Sequence, residues 1–161
     1  MKICRLSSED IPALQRVCAL INDFENSSTE SSDIAWHNFL SDSRNCVWGV
    51  FADRNQLVGK ILLKPDLRYP KHALLGGLWV SETLRRRGVG SLLIEETFKE
   101  AETQGYSMIK LWVSESNSEA FQFYQKFGFS PTGRLRSVAY DPFDHMQQLV
   151  LNMEQNATLP Y

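Results

Sequence analysis

Residues 77–96 read Gly-Leu-Trp-Val-Ser-Glu-Thr-Leu-Arg-Arg-Arg-Gly-Val-Gly-Ser-Leu-Leu-Ile-Glu-Glu. An apolar run ends in a turn rich in arginine and glycine, and an amphipathic pattern follows. That order is a strand, a loop and a helix. A glycine-rich turn at a helix N-terminus presents backbone N–H groups to an anion, and the helix dipole adds partial positive charge. The turn is not a P-loop, because no Gly-Lys-Ser/Thr ending follows. Leu93 stands at the third glycine position of the dinucleotide fingerprint, so that reading fails too. A plain tight turn flanked by solvated arginines is the competing reading.

The pentapeptide Leu78-Trp79-Val80-Ser81-Glu82 recurs as Leu111-Trp112-Val113-Ser114-Glu115, 33 residues later. This spacing matches a helical repeat. The surroundings of the two copies differ, however, and no third copy exists. Between them lies one helix, Ser91 to Gln104, stopped by Gly105. A strand returned by such a helix is normally parallel to its predecessor. Two parallel strands then finish at one edge of the sheet, where such sheets bind ligands. Chance likeness of two apolar strands is the alternative.

The pattern extends outward on both sides. Residues 3–6 suggest a first strand, and Ser7 to Asp10 a helix start. Ile11, Leu14, Val17, Cys18 and Ile21 fall on one helical face. A second short helix runs through Trp36, Phe39 and Leu40, with Asp33 as its cap. Residues 46–52 and 57–63 predict an antiparallel hairpin around Asp53-Arg54-Asn55. Pro65 to Pro70 reads as a loop. Gly76 and Gly77 interrupt the next strand, which points to a bulge or a close approach. Asn117 or Ser118 starts a further helix that ends at Gly128. Two closing strands flank a loop containing residues 140–145.

With 161 residues, 43% hydrophobic and 22% charged, the chain suits one domain with a core of reasonable size. A domain over residues 1–154 with a short tail at 155–161 is expected. No apolar run is long enough to span a bilayer, and the N-terminus turns polar before any signal-peptide region develops. Cys4, Cys18 and Cys46 are odd in number and lack metal-ligand spacing, which reads as reduced thiols and a cytoplasmic home. A net charge of −2 gives no electrostatic footprint for nucleic acid.

Two spaced patterns carry a family resemblance. Arg85-x-x-Gly88-x-Gly90 matches (Gln/Arg)-x-x-Gly-x-(Gly/Ala). Asn117, Ala120, Tyr124, Gly128 and Phe129 match Asn-x-x-Ala-x-x-x-Tyr-x-x-x-Gly-Phe. Residues 74–133 closely resemble the GCN5-related N-acetyltransferase (GNAT) family. The resemblance implies one mixed, mostly antiparallel α/β sheet with a central parallel pair splayed around an acyl-CoA cleft, flanked by about four helices. It implies acetyl-CoA as co-substrate, with no metal. Arg85, Arg86, Arg87, Gly88, Val89, Gly90 and Ser91 would hold the pyrophosphate. The strand Leu78, Trp79 and Val80 would pair with pantetheine, and Asn117 would stand beside it.

For the chemistry, the resemblance makes Tyr124 the general acid. Ala120, Phe123, Tyr124 and Phe127 also share a helix face, so core packing competes. The backbone N–H of Leu78 is the candidate oxyanion donor. Many relatives place a carboxylate on the strand leading into the cleft, and residues 73–80 contain none. Glu115 is the candidate base, against a structural role or a water relay. Glu82 reads as a loop or capping residue, and His72 as a solvated side chain. His37 and His145 are unassigned. Glu25, Trp36, Phe39, Tyr140, Asp141 and Phe143 are candidates for the acceptor site, with Asp144 a further carboxylate. The expected function is acetyl transfer to a primary amine of a small molecule or peptide, in a ternary complex. The competing readings are a toxin-like acetyltransferase of aminoacyl-tRNA and a non-catalytic acyl-CoA-binding module. Monomer and homodimer are both open.

Overall fold

The computed structural model describes residues 1–21, 33–53, 55–138 and 141–156. In chain order they form β1 (Lys2–Arg5), α1 (Ile11–Ile21), α2 (Asp33–Ser41), β2 (Cys46–Phe51), β3 (Leu57–Pro65) and β4 (His72–Val80). There follow α3 (Val89–Thr103), β5 (Met108–Ser114), α4 (Ser118–Lys126), β6 (Ser130–Val138), β7 (Asp141–Asn152) and α5 (Met153–Asn156). The seven strands form one sheet in the order β1-β2-β3-β4-β5-β7-β6. β4 and β5 are parallel, whereas β1–β2, β2–β3, β5–β7 and β6–β7 are antiparallel. This is the mixed α/β sheet that the sequence predicts. The helix beyond the expected four is α5, a single turn. No helix of the described residues is long and apolar enough to cross a membrane.

The chain divides into two compact units, residues 1–64 with 77–100, and residues 65–76 with 101–161. In the first unit, a capping box opens the turn that leads into α1. The Ser7 hydroxyl accepts from the Glu9 N–H at 3.3 Å, and the Asp10 carboxylate accepts from the Ser7 N–H at 2.8 Å. A short 3-10 turn at Ser8–Asp10 precedes the helix. Pro12 then falls in the first α turn, where no N–H is required. Ile11, Leu14, Val17 and Cys18 are buried with Leu6, Val47 and Leu57 in one core cluster. α3 contributes Val89, Leu93, Ile94 and Phe98 to the buried set. Thr97, fully buried on the same helix, satisfies its hydroxyl by donating to the Leu93 carbonyl at 2.8 Å.

In the second unit, the parallel ladder pairs His72 with Met108, Ala73 with Ile109 and Leu74 with Lys110. β5 pairs with β7 along its whole length, from Met108 with Asn152 to Ser114 with Met146. Ala73, Ile109, Leu111, Leu149 and Leu151 are buried. A charged pair lies beside them, with Lys110 Nζ 3.1 Å from Asp66 Oδ2 and 4.1 Å from the centre of the Tyr69 ring.

Three local expectations change. Residues 141–145 lie in β7 rather than in a loop, because β6 pairs with them through an irregular register that includes Ser137 with His145 and Val138 with Asp141. Pro65 ends β3 instead of opening a loop, as a proline can at a strand's limit. His72 is half-buried rather than solvated. Its ring stacks on Tyr69 at 5.0 Å, and its buried Nδ1 has no hydrogen-bond partner among the described residues. Burial, reinforced by the Lys110 charge, lowers its pKa below the usual histidine range.

Candidate functional site

In the first unit, β4 ends with Leu78, Trp79 and Val80, all half-buried. Trp79 packs against the α1 core cluster. Just before them, Gly77 has φ +59°, a left-handed conformation that L side chains rarely adopt. This is the strand irregularity expected from Gly76-Gly77. The Ser81 N–H donates to the Val58 carbonyl at 2.8 Å and ties the strand's end to β3. Trp79 and Ser81 also line a 740 Å³ cavity with Glu9, Asp10, Arg16 and Asp53.

The chain then passes through a 3-10 turn at Glu82–Leu84. Glu82 lies in that turn, in keeping with its expected loop role. Arg85 folds back, its Nε donating to the Val80 carbonyl at 3.2 Å. Arg86 has φ +59° and Gly88 φ +83°. Arg85, Arg86, Arg87 and Gly88 are all exposed. The first intrahelical bond of α3 runs from the Leu92 N–H to the Gly88 carbonyl at 3.0 Å. The amides of Val89, Gly90 and Ser91 precede that bond and have no intrahelical acceptor. A β-carbon built on Gly88 would meet nothing within 4 Å, so the backbone there is open to approach. Three cationic side chains, open backbone and helix-start amides suit a phosphate-bearing ligand such as coenzyme A.

What seats this turn is a residue that the sequence reading passed over. A β-carbon on Gly59 of β3 would lie 2.9 Å from Val89 Cγ1 and 3.2 Å from Leu93 Cδ1. The first turn of α3 therefore rests directly on the β3 backbone. Its neighbour Lys60, only 6% exposed, donates to the Gly77 carbonyl at 3.1 Å. The available signal was a glycine and a lysine inside the otherwise apolar run 57–63.

In the second unit, Asn117 caps α4, its Oδ1 accepting from the Ala120 N–H at 3.1 Å. Tyr124 is 9% exposed and packs edge-on against Phe123 and Phe129, at ring distances of 5.4 and 5.7 Å. Burial pushes its phenol up to about 12. The unperturbed value near ~10 therefore does not apply. Glu115, exposed beyond the end of β5, donates its N–H to the His145 carbonyl at 2.8 Å. Its Oε2 lies 3.9 Å from His145 Nδ1. Asp144 accepts from the Ser114 and Ser116 hydroxyls and from the Ser116 and His145 amides. Those two hydroxyls lead the causes that lower its pKa.

The described acceptor candidates differ in burial. Trp36, 5% exposed, belongs to the α1 core cluster and meets Phe39 edge-on at 5.9 Å. Phe143 is 93% exposed. Asp141 opens β7. Glu25, Tyr140 and the Asp141 side chain lie outside the described residues. His37, in α2, stands 3.8 Å from Asp33 across one helical turn.

A model of the acetyltransferase (GNAT) family matches residues 14–129. This chain belongs to that family. Among GNAT relatives, N-acetyltransferase family 8 member 7 of Mus musculus is 32% identical over 137 residues, covering 83% of this chain and 58% of that protein. N-acetyltransferase family 8 member 3 of Rattus norvegicus is 36% identical over 98 residues, or 59% and 42% of the two chains. The chain thus spans about half the length of the curated relatives it matches. Among solved GNAT-like structures is an aminoglycoside 6'-N-acetyltransferase complexed with coenzyme A. It matches at a TM-score of 0.77 and 16% identity, covering 100% of this chain and 99% of that one. The latter likeness is one of fold.

Proposed function

We propose that this chain transfers an acetyl group from acetyl-CoA to a primary amine of a small molecule or peptide. The observation that carries the reading is the Arg85–Ser91 turn. There, left-handed Arg86 and Gly88 precede the first amides of α3, which have no acceptor within the helix. Arg85, Arg86 and Arg87 supply charge, and the amides of Gly88, Val89, Gly90 and Ser91 supply directed donors for the pyrophosphate. The backbone of Leu78, Trp79 and Val80 pairs with the pantetheine amides as an added strand would. Asn117 offers its carboxamide N–H groups, its oxygen already holding the α4 cap.

The transfer forms a C–N bond and breaks the thioester C–S bond. The Leu78 N–H stabilises negative charge developing on the acyl oxygen. Tyr124 gives the departing thiolate its proton. Its raised pKa keeps the phenol protonated throughout the working range. The surplus proton of the amine leaves through water or through Glu115, whose carboxylate neighbours His145.

A panel of primary amines with acetyl-CoA, followed by release of free thiol, tests the reading. Saturable release with at least one amine is expected. Coenzyme A binding without release for any amine would favour a binding module. Failure to bind coenzyme A at all would overturn the assignment of the turn.

A further inference from the structure

We propose that Lys60 is a positioning residue for the backbone donor at Leu78, an inference that rests on the function proposed above. Residues 57–63 carry one charge in an apolar strand, and that charge is almost wholly removed from water. A buried ammonium is disfavoured unless its protons are satisfied. Here one of them is directed at a single backbone atom, the Gly77 carbonyl oxygen, 3.1 Å from Nζ. A β-carbon on Gly77 would itself lie 3.1 Å from Nζ and 3.2 Å from Leu62 Cδ2. Glycine at 77 therefore serves two needs, the left-handed φ and room for the ammonium beside the backbone.

The Gly77 carbonyl and the Leu78 N–H belong to one peptide group. The described chain has no cis peptides, and in a trans peptide these two bonds point in opposite directions. Holding the carbonyl on the Lys60 side therefore aims the Leu78 N–H away from it. A cationic donor on the carbonyl also draws electron density from the peptide nitrogen and strengthens its N–H as a donor. Lys60 thus fixes both the direction and the polarity of the group assigned to stabilise the acyl oxygen, without touching the substrate itself.

The test uses the full chain with acetyl-CoA carrying a carbonyl carbon-13 label, read by difference infrared spectroscopy and steady-state kinetics. Wild-type protein should shift the thioester carbonyl stretch below its value in water. Lys60→Met should lose at least half of that shift and about tenfold in kcat, less than deleting an oxyanion donor outright. KM for acetyl-CoA should stay within threefold, and Lys60→Arg should restore most of both losses. If Met at 60 prevents folding, Lys60→Gln, whose shorter side chain falls short of the carbonyl, is read in the same way. A wild-type shift and kcat in the neutral variant would overturn the role of Lys60. So would a lower kcat with an unchanged shift, which marks a merely structural residue. Absence of any shift in an active wild type would instead remove the Leu78 donor, and the Lys60 role with it.

Discussion

A β-carbon on Gly59 would stand 2.9 Å from Val89 Cγ1, closer than real side chains approach, and 3.4 Å from the Trp79 carbonyl oxygen. One position on β3 thus sets how closely the first turn of α3 and the end of β4 can pack. Gly59→Ala should destabilise the protein by about 1–3 kcal/mol through overpacking. Ordinary strand propensity would favour alanine by roughly 0.5–1 kcal/mol, so the sign itself is informative. Because Val89 opens α3 within the turn proposed to hold the pyrophosphate, coenzyme A affinity should also fall several-fold. Urea unfolding and calorimetry on the same variant measure both, and an unchanged result in each would show that the packing yields without consequence.

Gly88 is the opposite case. Nothing lies within 4 Å of a β-carbon there, and its φ of +83° is what resists one. Gly88→Val should therefore cost about 1–2 kcal/mol in backbone conformation and leave the fold intact. Its bulk would occupy the space that a pyrophosphate needs. A drop of more than tenfold in coenzyme A affinity is expected. Calorimetric affinity equal to wild type would take the turn out of the site.

Much of this arrangement is legible in the residue order, because it depends on local chemistry. Asn117 caps the helix it precedes, and Gly77 carries the strand irregularity. The parallel pair follows from the length of one crossover helix. What is not legible depends on partners distant in sequence. Trp36 and Phe143 look alike as apolar candidates, yet one is in the core and the other in solvent. The polar residues 140–145 suggest a loop, but pairing with β6 draws residues 141–145 into β7. Lys60 resembles a strand-edge charge until its contact with Gly77 is known.

The Asp66–Lys110 pair makes a pH-dependent contribution that is separate from catalysis. Burial alone would raise the Asp66 pKa, but the Arg68 amide and the Lys110 ammonium outweigh it and lower the carboxyl below its usual value. A carboxyl depressed by folding adds stability above its unfolded pKa, near ~3.9, and loses it as pH falls through the folded value. Asp66→Asn should remove that acid limb. It should also destabilise by about 3 kcal/mol at neutral pH, since it leaves the largely buried Lys110 without its counter-charge. Denaturant titrations at pH 3 and pH 7 compare the two effects. An equal stability difference at both values would show that protonation of Asp66 is not linked to folding over that range.

Glu115 tests where the amine's proton goes. Its carboxylate is exposed to solvent and close to His145. If water carries the proton, Glu115→Gln should reduce kcat less than tenfold at pH 8, which is the expected result. A loss in the range of 10²–10⁴, typical of a removed general base, with recovery at higher pH would make Glu115 the base.

Tyr124 separates packing from chemistry, because phenylalanine keeps its ring contacts with Phe123 and Phe129. A purely structural hydroxyl would be worth about 1 kcal/mol in stability and nothing in turnover. As the proton donor to the thiolate, it should be worth about 10–100-fold in kcat, at the lower end of general-acid effects. Burial explains that position. A phenol pushed up to about 12 holds its proton near neutral pH, but it is a weaker acid than free tyrosine. Acetyl-CoA affinity in Tyr124→Phe should remain within about threefold, since the phosphate and pantetheine contacts are assigned elsewhere. The same shift fixes the sign of an alkaline effect. A phenol whose pKa is raised by folding contributes nothing pH-dependent below its unfolded value near ~10, and the protein loses stability as pH rises from there to about 12. The Tyr124 share of that loss should be about 2–3 kcal/mol, at roughly 1.4 kcal/mol per pH unit, and it should vanish in the phenylalanine variant. Urea unfolding of both proteins at pH 9 and pH 11.5 isolates this difference, while single-turnover thiol release at pH 8 isolates the chemical step. Wild-type single-turnover rates in the variant, together with loss of the alkaline difference, would leave Tyr124 a buried core residue and require another acid for the thiolate.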